Sequence, residues 1–303
     1  MIRHLLEVAD LAAAEVRAVL DLAARPPDAL GRPLAGLGAA LIFQKPSART
    51  RHSTEMAVVQ LGGHPVYTRE DEVGLDTRES VEDVTLILQG YHAVLAARVH
   101  DHGVLERMVA VADVPVVNLL SDRAHPLQAI ADALTMEQVG DGPLAGRTVA
   151  WVGDYNNVAR SLGEISVLLG ATVHYACPVG YGADDAELER LDLLGPGVVT
   201  QTHRPSEAAG GADFVHADTW VSMGQETDTA ARRQAFEGFM VDEALMAAAA
   251  PDAVFLHCLP AYRDVEVASD VIDGPRSVVF QQGHNRLAAA RGALAFLLGV
   301  VAP

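Results

Sequence analysis

The sequence predicts an α/β protein of two domains, each a parallel sheet flanked by helices, joined by an interdomain hinge. Short apolar runs alternate with helical patterns along the whole chain, which is the arrangement that parallel sheets require. Residues 138–147 contain three glycines and a proline and mark the hinge between the halves. A length of 303 residues suits two domains of about 150 residues.

In the first half the elements follow one another in a regular order. Residues 4–24 are predicted to form an amphipathic helix, because their apolar side chains recur on one stripe. Three apolar runs are then predicted as strands, each followed by a helical pattern: 38–43, 93–99 and 115–120. The helical patterns begin near Arg51, near Leu105 and at Leu127.

The second half repeats the alternation and ends in a helix. Its predicted strands are 148–153, 171–176, 212–218, 253–260 and 277–280. Residues 285–300 form the predicted terminal helix. In sheets of this kind ligands bind beyond the carboxyl ends of the strands, so the loops after the apolar runs are the candidate functional segments.

Composition excludes several classes of protein. A formal net charge of −18 opposes nucleic-acid binding. The longest apolar stretch, 293–302, is too short for a membrane span, and Glu7 and Asp10 interrupt any signal peptide. Cys177 and Cys258 cannot build a disulfide framework and show no metal-ligand spacing, so no metal is predicted. We expect a cytoplasmic protein.

The loops of the first half carry groups suited to an anion. Ser47, Arg49 and Thr50 open a helix, where backbone N–H groups, hydroxyls and a guanidinium can surround a phosphate. An ordinary capped helix with solvated arginines explains the same residues. His125 and Gln128, three positions apart, share a helix face and could bind a carbonyl group, or the histidine could simply cap its helix. Arg98 ends a strand and points either to a ligand or to a surface ion pair.

The loops of the second half carry amides, a carboxylate and a thiol. Gly153-Asp154-Tyr155-Asn156-Asn157 lacks the glycine fingerprint of a dinucleotide site, which argues against a nicotinamide-dependent dehydrogenase. Its vicinal amides suit an amino acid, although they are also common in turns. The segment from Asp218 to Glu226 could hold an ammonium and a carboxylate. Cys258, beside His257 at a strand end, is either a polarised thiol or an ordinary buried cysteine.

Together these loops resemble the transcarbamylase family, and within it the ornithine branch. S-A-R-T-R at 47–51 and H-P-L-Q at 125–128 are similar to the carbamoyl-phosphate site that the aspartate and ornithine enzymes share. D-T-W-V-S-M-G-Q-E at 218–226 and H-C-L-P at 257–260 are similar to the ornithine branch. The motifs keep their order over essentially the whole chain.

The resemblance implies a carbamoyl-phosphate domain (1–140), an ornithine domain (148–284) and a terminal helix (285–303) that packs back on the first. It implies transfer of a carbamoyl group to the δ-amine of ornithine in an interdomain cleft, without cofactor, by a homotrimer or a multiple of trimers. The implied catalytic residues are Cys258, Asp218, Arg98 and His125. The implied carbamoyl-phosphate ligands are Ser47, Ala48, Arg49, Thr50, Arg98, His125, Gln128, Cys258, Leu259 and Arg286. The implied ornithine ligands are Asn157, Asp218, Ser222 and Met223.

Three departures from the family pattern leave two further hypotheses open. Ala48 replaces a threonine, Gly74 replaces a glutamine or histidine that reaches a neighbouring subunit, and Gly283-His284 precede Asn285-Arg286 in an unusual ending. One alternative keeps the chemistry but uses another amine, such as putrescine or N-acetylornithine. The other is a catalytically weak paralogue that binds ligands or a partner trimer.

Overall fold

The computed structural model describes residues 2–221 and 229–301 and divides into two compact units. The first unit comprises residues 1–134 and 284–303, and the second comprises residues 135–283. Within the described residues no helix combines the length and apolar composition needed to cross a membrane.

The first unit is built on a four-stranded parallel sheet in the order β2-β1-β3-β4. Its strands are β1 (Gly38–Phe43), β2 (His64–Arg69), β3 (Val94–Arg98) and β4 (Val116–Leu120). Its helices are α1 (Ala13–Ala24), α2 (Ala48–Gln60), α3 (Glu70–Val73), α4 (Val81–Leu88) and α5 (His102–Val111), with 3-10 turns at Val8–Asp10 and Pro27–Leu30. The central strands β1 and β3 are almost wholly buried, as a sheet covered on both faces requires.

The second unit contains a five-stranded parallel sheet in the order β7-β6-β5-β8-β9. Its strands are β5 (Thr148–Val152), β6 (Thr172–Ala176), β7 (Val198–Thr202), β8 (Phe214–Ala217) and β9 (Val254–His257). Its helices are α7 (Asn157–Leu168), α8 (Asp185–Asp192), α9 (Pro205–Ala209), α10 (Thr229–Ala235), α11 (Glu243–Ala248) and α12 (Ser269–Ile272). Two helices, α6 (Pro126–Val139) and α13 (Val279–Leu297), have residues in both units.

The predicted fold class, two parallel sheets flanked by helices, is confirmed. The predicted strand at 277–280 is wrong: Ser277 makes one isolated bridge to Phe255, and helix α13 begins at Val279. The single helix predicted for 4–24 is also wrong. Leu5 bridges in parallel to Val117 beside β4, and the regular helix begins only at Ala13.

Each sheet has a topological switch point, where strand order reverses and a crevice opens beyond the strand ends. In the first sheet the chain runs outward from β1 to β2 and then returns to place β3 on the other side of β1. In the second sheet the same reversal falls between β5 and β8. Ligands of open α/β sheets bind at such points. The loops after β1, β3, β5 and β8 therefore become the candidate site.

Candidate active site

The loop after β1 leads into a capped helix start, a feature that can bind an anion. Ser47 caps α2: its hydroxyl accepts a hydrogen bond from the backbone N–H of Thr50 at 3.4 Å and donates to the Thr50 hydroxyl at 3.1 Å. Thr50 is buried, whereas Ala48 and Arg49 in the first turn are exposed. The backbone N–H groups of the first turn and the positive end of a 13-residue helix therefore lie beside the exposed Arg49.

A group of buried polar residues, the first-unit cluster, extends this loop: Thr50, Arg98, His125, Gln128 and Arg286. Arg98 is the last residue of β3, His125 immediately precedes α6, and Arg286 lies on α13. Arg286 donates one hydrogen bond to the Thr50 hydroxyl at 2.9 Å and another to the Gln128 amide oxygen at 2.5 Å. Arg286 therefore connects the start of α2 to helix α6.

The cluster keeps its histidine neutral. Burial lowers the pKa of His125 well below that of an ordinary histidine, and three guanidinium groups lower this pKa further: Arg286, Arg98 and Arg49. A neutral imidazole carries one N–H donor and can polarise a carbonyl without adding another positive charge. The cluster as a whole suits an anion with a carbonyl group.

The second-unit cluster consists of Asn156, Asp218 and Cys258. Asp218 follows β8 and Cys258 follows β9, so both lie at carboxyl ends of adjacent strands. The Cys258 thiol donates to Asp218 Oδ1 at 3.0 Å, and the backbone N–H of Thr219 donates to the same oxygen at 2.8 Å. Asn156 Nδ2 donates to Asp218 Oδ2 at 2.8 Å. The carboxylate is thus held by three donors in a position suited to an amine.

A buried ion pair supports this edge of the second sheet. Arg232 on α10 donates to Asp154 Oδ2 at 2.7 Å and to the backbone oxygen of Trp220 at 2.9 Å. Its guanidinium also lies 5.0 Å from the ring centre of Tyr181. Burial raises the pKa of Asp154, and the contact with Arg232 opposes that rise. Arg232 thereby fixes the chain just after Asp218.

Among the described residues, one group of side chains could hold a metal ion: Asp218, His257 and Cys258, whose ligand atoms lie within 4.8 Å of one another. All three of these side chains already have partners within the protein. The thiol donates to Asp218, and His257 Nδ1 accepts from the backbone N–H of Leu259 at 2.9 Å. These hydrogen bonds account for the close approach of the three side chains.

The structure brings most predicted site residues into two groups. The first unit gathers Ser47, Ala48, Arg49, Thr50, Arg98, His125, Gln128 and Arg286. In the second unit, Asp218 and Cys258 are in contact; half-buried Leu259 follows the thiol and half-buried Asn157 begins α7. Ser222 and Met223 lie outside the described residues. The sequence reasoning missed the contact of Asn156 with Asp218, although Asn immediately before a helix is a recognised capping signal.

Comparison with known proteins finds a family model for each half of the chain. A family model described as the aspartate/ornithine carbamoyltransferase carbamoyl-P binding domain matches residues 3–138, and one described as the Asp/Orn binding domain matches residues 145–297. The chain is 46% identical over 298 residues to an ornithine carbamoyltransferase of Thermus thermophilus, covering 98% of this chain and 97% of the relative. It is 43% identical over 305 residues to one of Parafrankia sp., covering 98% and 96%. The solved structure of the Pyrococcus furiosus ornithine carbamoyltransferase superposes with a TM-score of 0.92 at 40% identity, covering 99% and 98%.

Proposed function

The chain belongs to the aspartate/ornithine carbamoyltransferase family, and on this premise we propose how it acts. It is a carbamoyltransferase that moves the carbamoyl group of carbamoyl phosphate to the δ-amine of L-ornithine, giving L-citrulline and phosphate. The observation that carries the acceptor assignment is the hydrogen bond between Cys258 and Asp218. It joins the D-T-W-V-S-M-G and H-C-L-P motifs around one carboxylate.

We assign the phosphate of the donor to Ser47, Arg49 and Thr50, with the backbone N–H of Ala48. Helix α2 contributes its positive end, and Arg49 contributes a fork of donors that matches phosphate oxygens. The charge on the leaving phosphate grows as the reaction proceeds. These groups therefore stabilise the transition state more than the bound substrate.

The carbamoyl group is assigned to Arg98, His125, Gln128 and Arg286. A neutral His125 donates one hydrogen bond to the carbamoyl oxygen, where negative charge develops when the amine attacks. Arg98 and Arg286 supply positive charge from fixed, buried positions, so little reorganisation is needed. Gln128 offers an amide that can recognise the carbamoyl nitrogen.

Ornithine is assigned to Asn157, Asp218, Ser222 and Met223, with Cys258 and Leu259 beside the reacting atoms. Near pH 7.4 only about one amine of pKa about 10.4 in 1,000 is neutral, and supplying it costs about 4 kcal/mol. Asp218 and Cys258 orient the ammonium by hydrogen bonds while its first proton is released to solvent. The neutral nitrogen then forms a bond to the carbamoyl carbon while the bond to the phosphate oxygen breaks. The second proton of the amine ends on phosphate, and no metal or organic cofactor is needed.

We further propose that the chain acts in the cytoplasm as a homotrimer or a multiple of trimers. Support comes from apolar side chains that remain exposed on the first unit: Met56, Val59, Val66, Leu86, Ile87 and Tyr91. They lie on α2, the edge strand β2, α4 and the turn after it. Exposed apolar surface of this kind marks association sites. Sedimentation of the wild type and of an Ile87→Glu variant tests it: a monomeric wild type would refute the assembly.

Citrulline release is the direct test of the reaction. Carbamoyl phosphate is supplied with ornithine, putrescine or N-acetylornithine near pH 8, and an Asp218→Asn variant serves as the matched control. We expect turnover with ornithine alone and its near loss in the control. Turnover with another amine would overturn the acceptor assignment. Absence of turnover with all three, combined with retained carbamoyl-phosphate binding, would support a ligand-binding paralogue instead.

A further inference from the structure

A buried carboxylate that the proposed reaction does not use lies behind the first-unit cluster. Asp132 is one turn beyond Gln128 on α6 and is fully buried. Gln128 Nε2 donates to Asp132 Oδ1 at 2.8 Å, while Gln128 Oε1 accepts from Arg286. The three side chains form a continuous chain of hydrogen bonds inside the first unit.

The two partners dictate which end of the Gln128 amide is oxygen. A guanidinium has donors only, so the atom facing Arg286 must be the amide oxygen. A carboxylate oxygen accepts, so the atom facing Asp132 must be the amide nitrogen. Either partner alone opposes a flip of the amide, and the two together leave a single orientation.

This orientation determines the direction in which the amide oxygen points. Arg286, which holds the oxygen, also donates to Thr50 in the first turn of α2. Asp132, which holds the nitrogen, lies one helical turn farther from His125 and from the start of α6. The amide oxygen therefore faces Arg286 and the side of the cluster nearer the start of α2, and one of its lone pairs can still accept a hydrogen bond.

We propose that Asp132 is a positioning residue that makes Gln128 a selective acceptor for the –NH2 of a carbamoyl group. This inference rests on the proposed function, because it concerns the donor substrate of that reaction. A methyl group in place of –NH2 cannot donate to the fixed oxygen, so the second lone pair of this oxygen is desolvated while Arg286 remains its single donor. A buried acceptor that loses one of its two hydrogen bonds in this way discriminates between otherwise similar ligands.

Two stable analogues separate this role from simple anion binding. Phosphonoacetamide ends in –CO–NH2, and acetonylphosphonate ends in –CO–CH3 on the same phosphonate frame. Calorimetric titration gives the affinity of each for the whole protein, with inorganic phosphate as the control ligand. We expect the wild type to prefer the amide about tenfold or more. In Asp132→Ala the preference should fall about five- to tenfold, while phosphate affinity changes less than about twofold.

The matched variant Asp132→Asn fills the same volume and keeps a carbonyl acceptor, so it should retain more of the preference than Asp132→Ala. Its preference for the amide should still fall about twofold or more below that of the wild type. Asp132→Asn can therefore test the inference if the alanine variant does not fold. A double-mutant cycle asks whether Asp132 acts through Gln128. In a Gln128→Ala background, removing Asp132 should cause no further loss of preference.

Several results would overturn the inference. The first is an unchanged preference for phosphonoacetamide over acetonylphosphonate in the Asp132 variants. The second is a loss of phosphate affinity as large as the loss of that preference. The third is a double variant in which the losses of preference from the Asp132 and Gln128 substitutions add. The proposed function fails separately, if citrulline is not formed. A wild type that makes citrulline but shows no preference between the analogues would refute the role of Asp132 and leave the reaction intact.

Discussion

Replacing Asn156 with aspartate tests whether Asp218 acts as a carboxylate. The Asn156 side chain has two functions: its Oδ1 caps α7 by accepting from Val158 and Ala159, and its Nδ2 donates to Asp218. In Asn156→Asp the capping oxygen remains and gains a favourable charge at the helix start. The donor, however, becomes a second carboxylate oxygen facing Asp218.

The size of the effect follows from the distance. The contacting atoms are 2.8 Å apart, which places the two charges about 4 Å apart. Their repulsion is about 4 kcal/mol at an effective dielectric constant of about 20, equivalent to about three pH units. One carboxylate of the pair therefore retains a shared proton into the neutral range, as in other close carboxylate pairs.

The assay is kcat/KM for ornithine between pH 6 and 9, expressed as the ratio of variant to wild type. We expect this ratio to rise with pH and to lie near a tenth of its plateau at pH 6. Asn156→Ser is the matched control, because serine also caps helices but adds no charge. Its ratio should be reduced and independent of pH. A pH-independent ratio for Asn156→Asp, with α7 intact by thermal unfolding, would refute the role given to Asp218.

Three further predictions concern the other parts of the two units. Arg49→Ala should weaken carbamoyl-phosphate binding about 100-fold by equilibrium titration, because charge-assisted hydrogen bonds contribute about 1.5–3 kcal/mol each; normal binding would mean that the phosphate loop is misplaced. Cys258→Ser should slow citrulline formation about tenfold and leave carbamoyl-phosphate affinity within about twofold, and the opposite pattern would assign the thiol to the donor. Burial raises the pKa of Glu187, but hydrogen bonds from Arg190 and Tyr155 outweigh it and bring this pKa to about 2. The resulting stability is present above pH 4.5 and is lost as pH falls toward 2. In urea unfolding, Glu187→Gln should therefore lower the free energy of unfolding by up to about 3 kcal/mol at pH 7. A difference between wild type and variant that does not shrink as the pH falls toward 2 would contradict this.

The sequence predicts the buried strands well, including the edge strands β4 and β9, but misses the two partly exposed edge strands. The run at 38–43 coincides with β1, which is central and almost wholly buried. Strands β2 and β7 were not predicted, and each lies at the edge of its sheet. Their sequences, H-P-V-Y-T-R and V-V-T-Q-T, are partly exposed and mix polar with apolar side chains. An edge strand needs no continuous apolar run, so the pattern that finds central strands passes over it.

Local sequence patterns locate the loops of the site but not the contacts between their side chains. Parallel strands place their carboxyl ends along one edge, and this rule alone directs attention to the loops with Thr50, Arg98 and Asp218. The rule does not say which side chains touch. The contact of Cys258 with Asp218 spans 40 positions, and that of Arg286 with Thr50 spans 236. Contacts of this range depend on the packing of whole elements, which no local pattern encodes.

The departure at Gly74 from the family pattern has a local cause. Gly74 ends the short helix α3 with a φ of 61°, in the left-handed region that favours glycine. A Cβ there would lie 2.8 Å from the Cβ of Arg78 and 3.1 Å from the Thr77 hydroxyl. The turn that follows is closed by backbone hydrogen bonds from Thr77 and Arg78 to the Gly74 carbonyl. A glutamine or histidine at this position would therefore strain the turn.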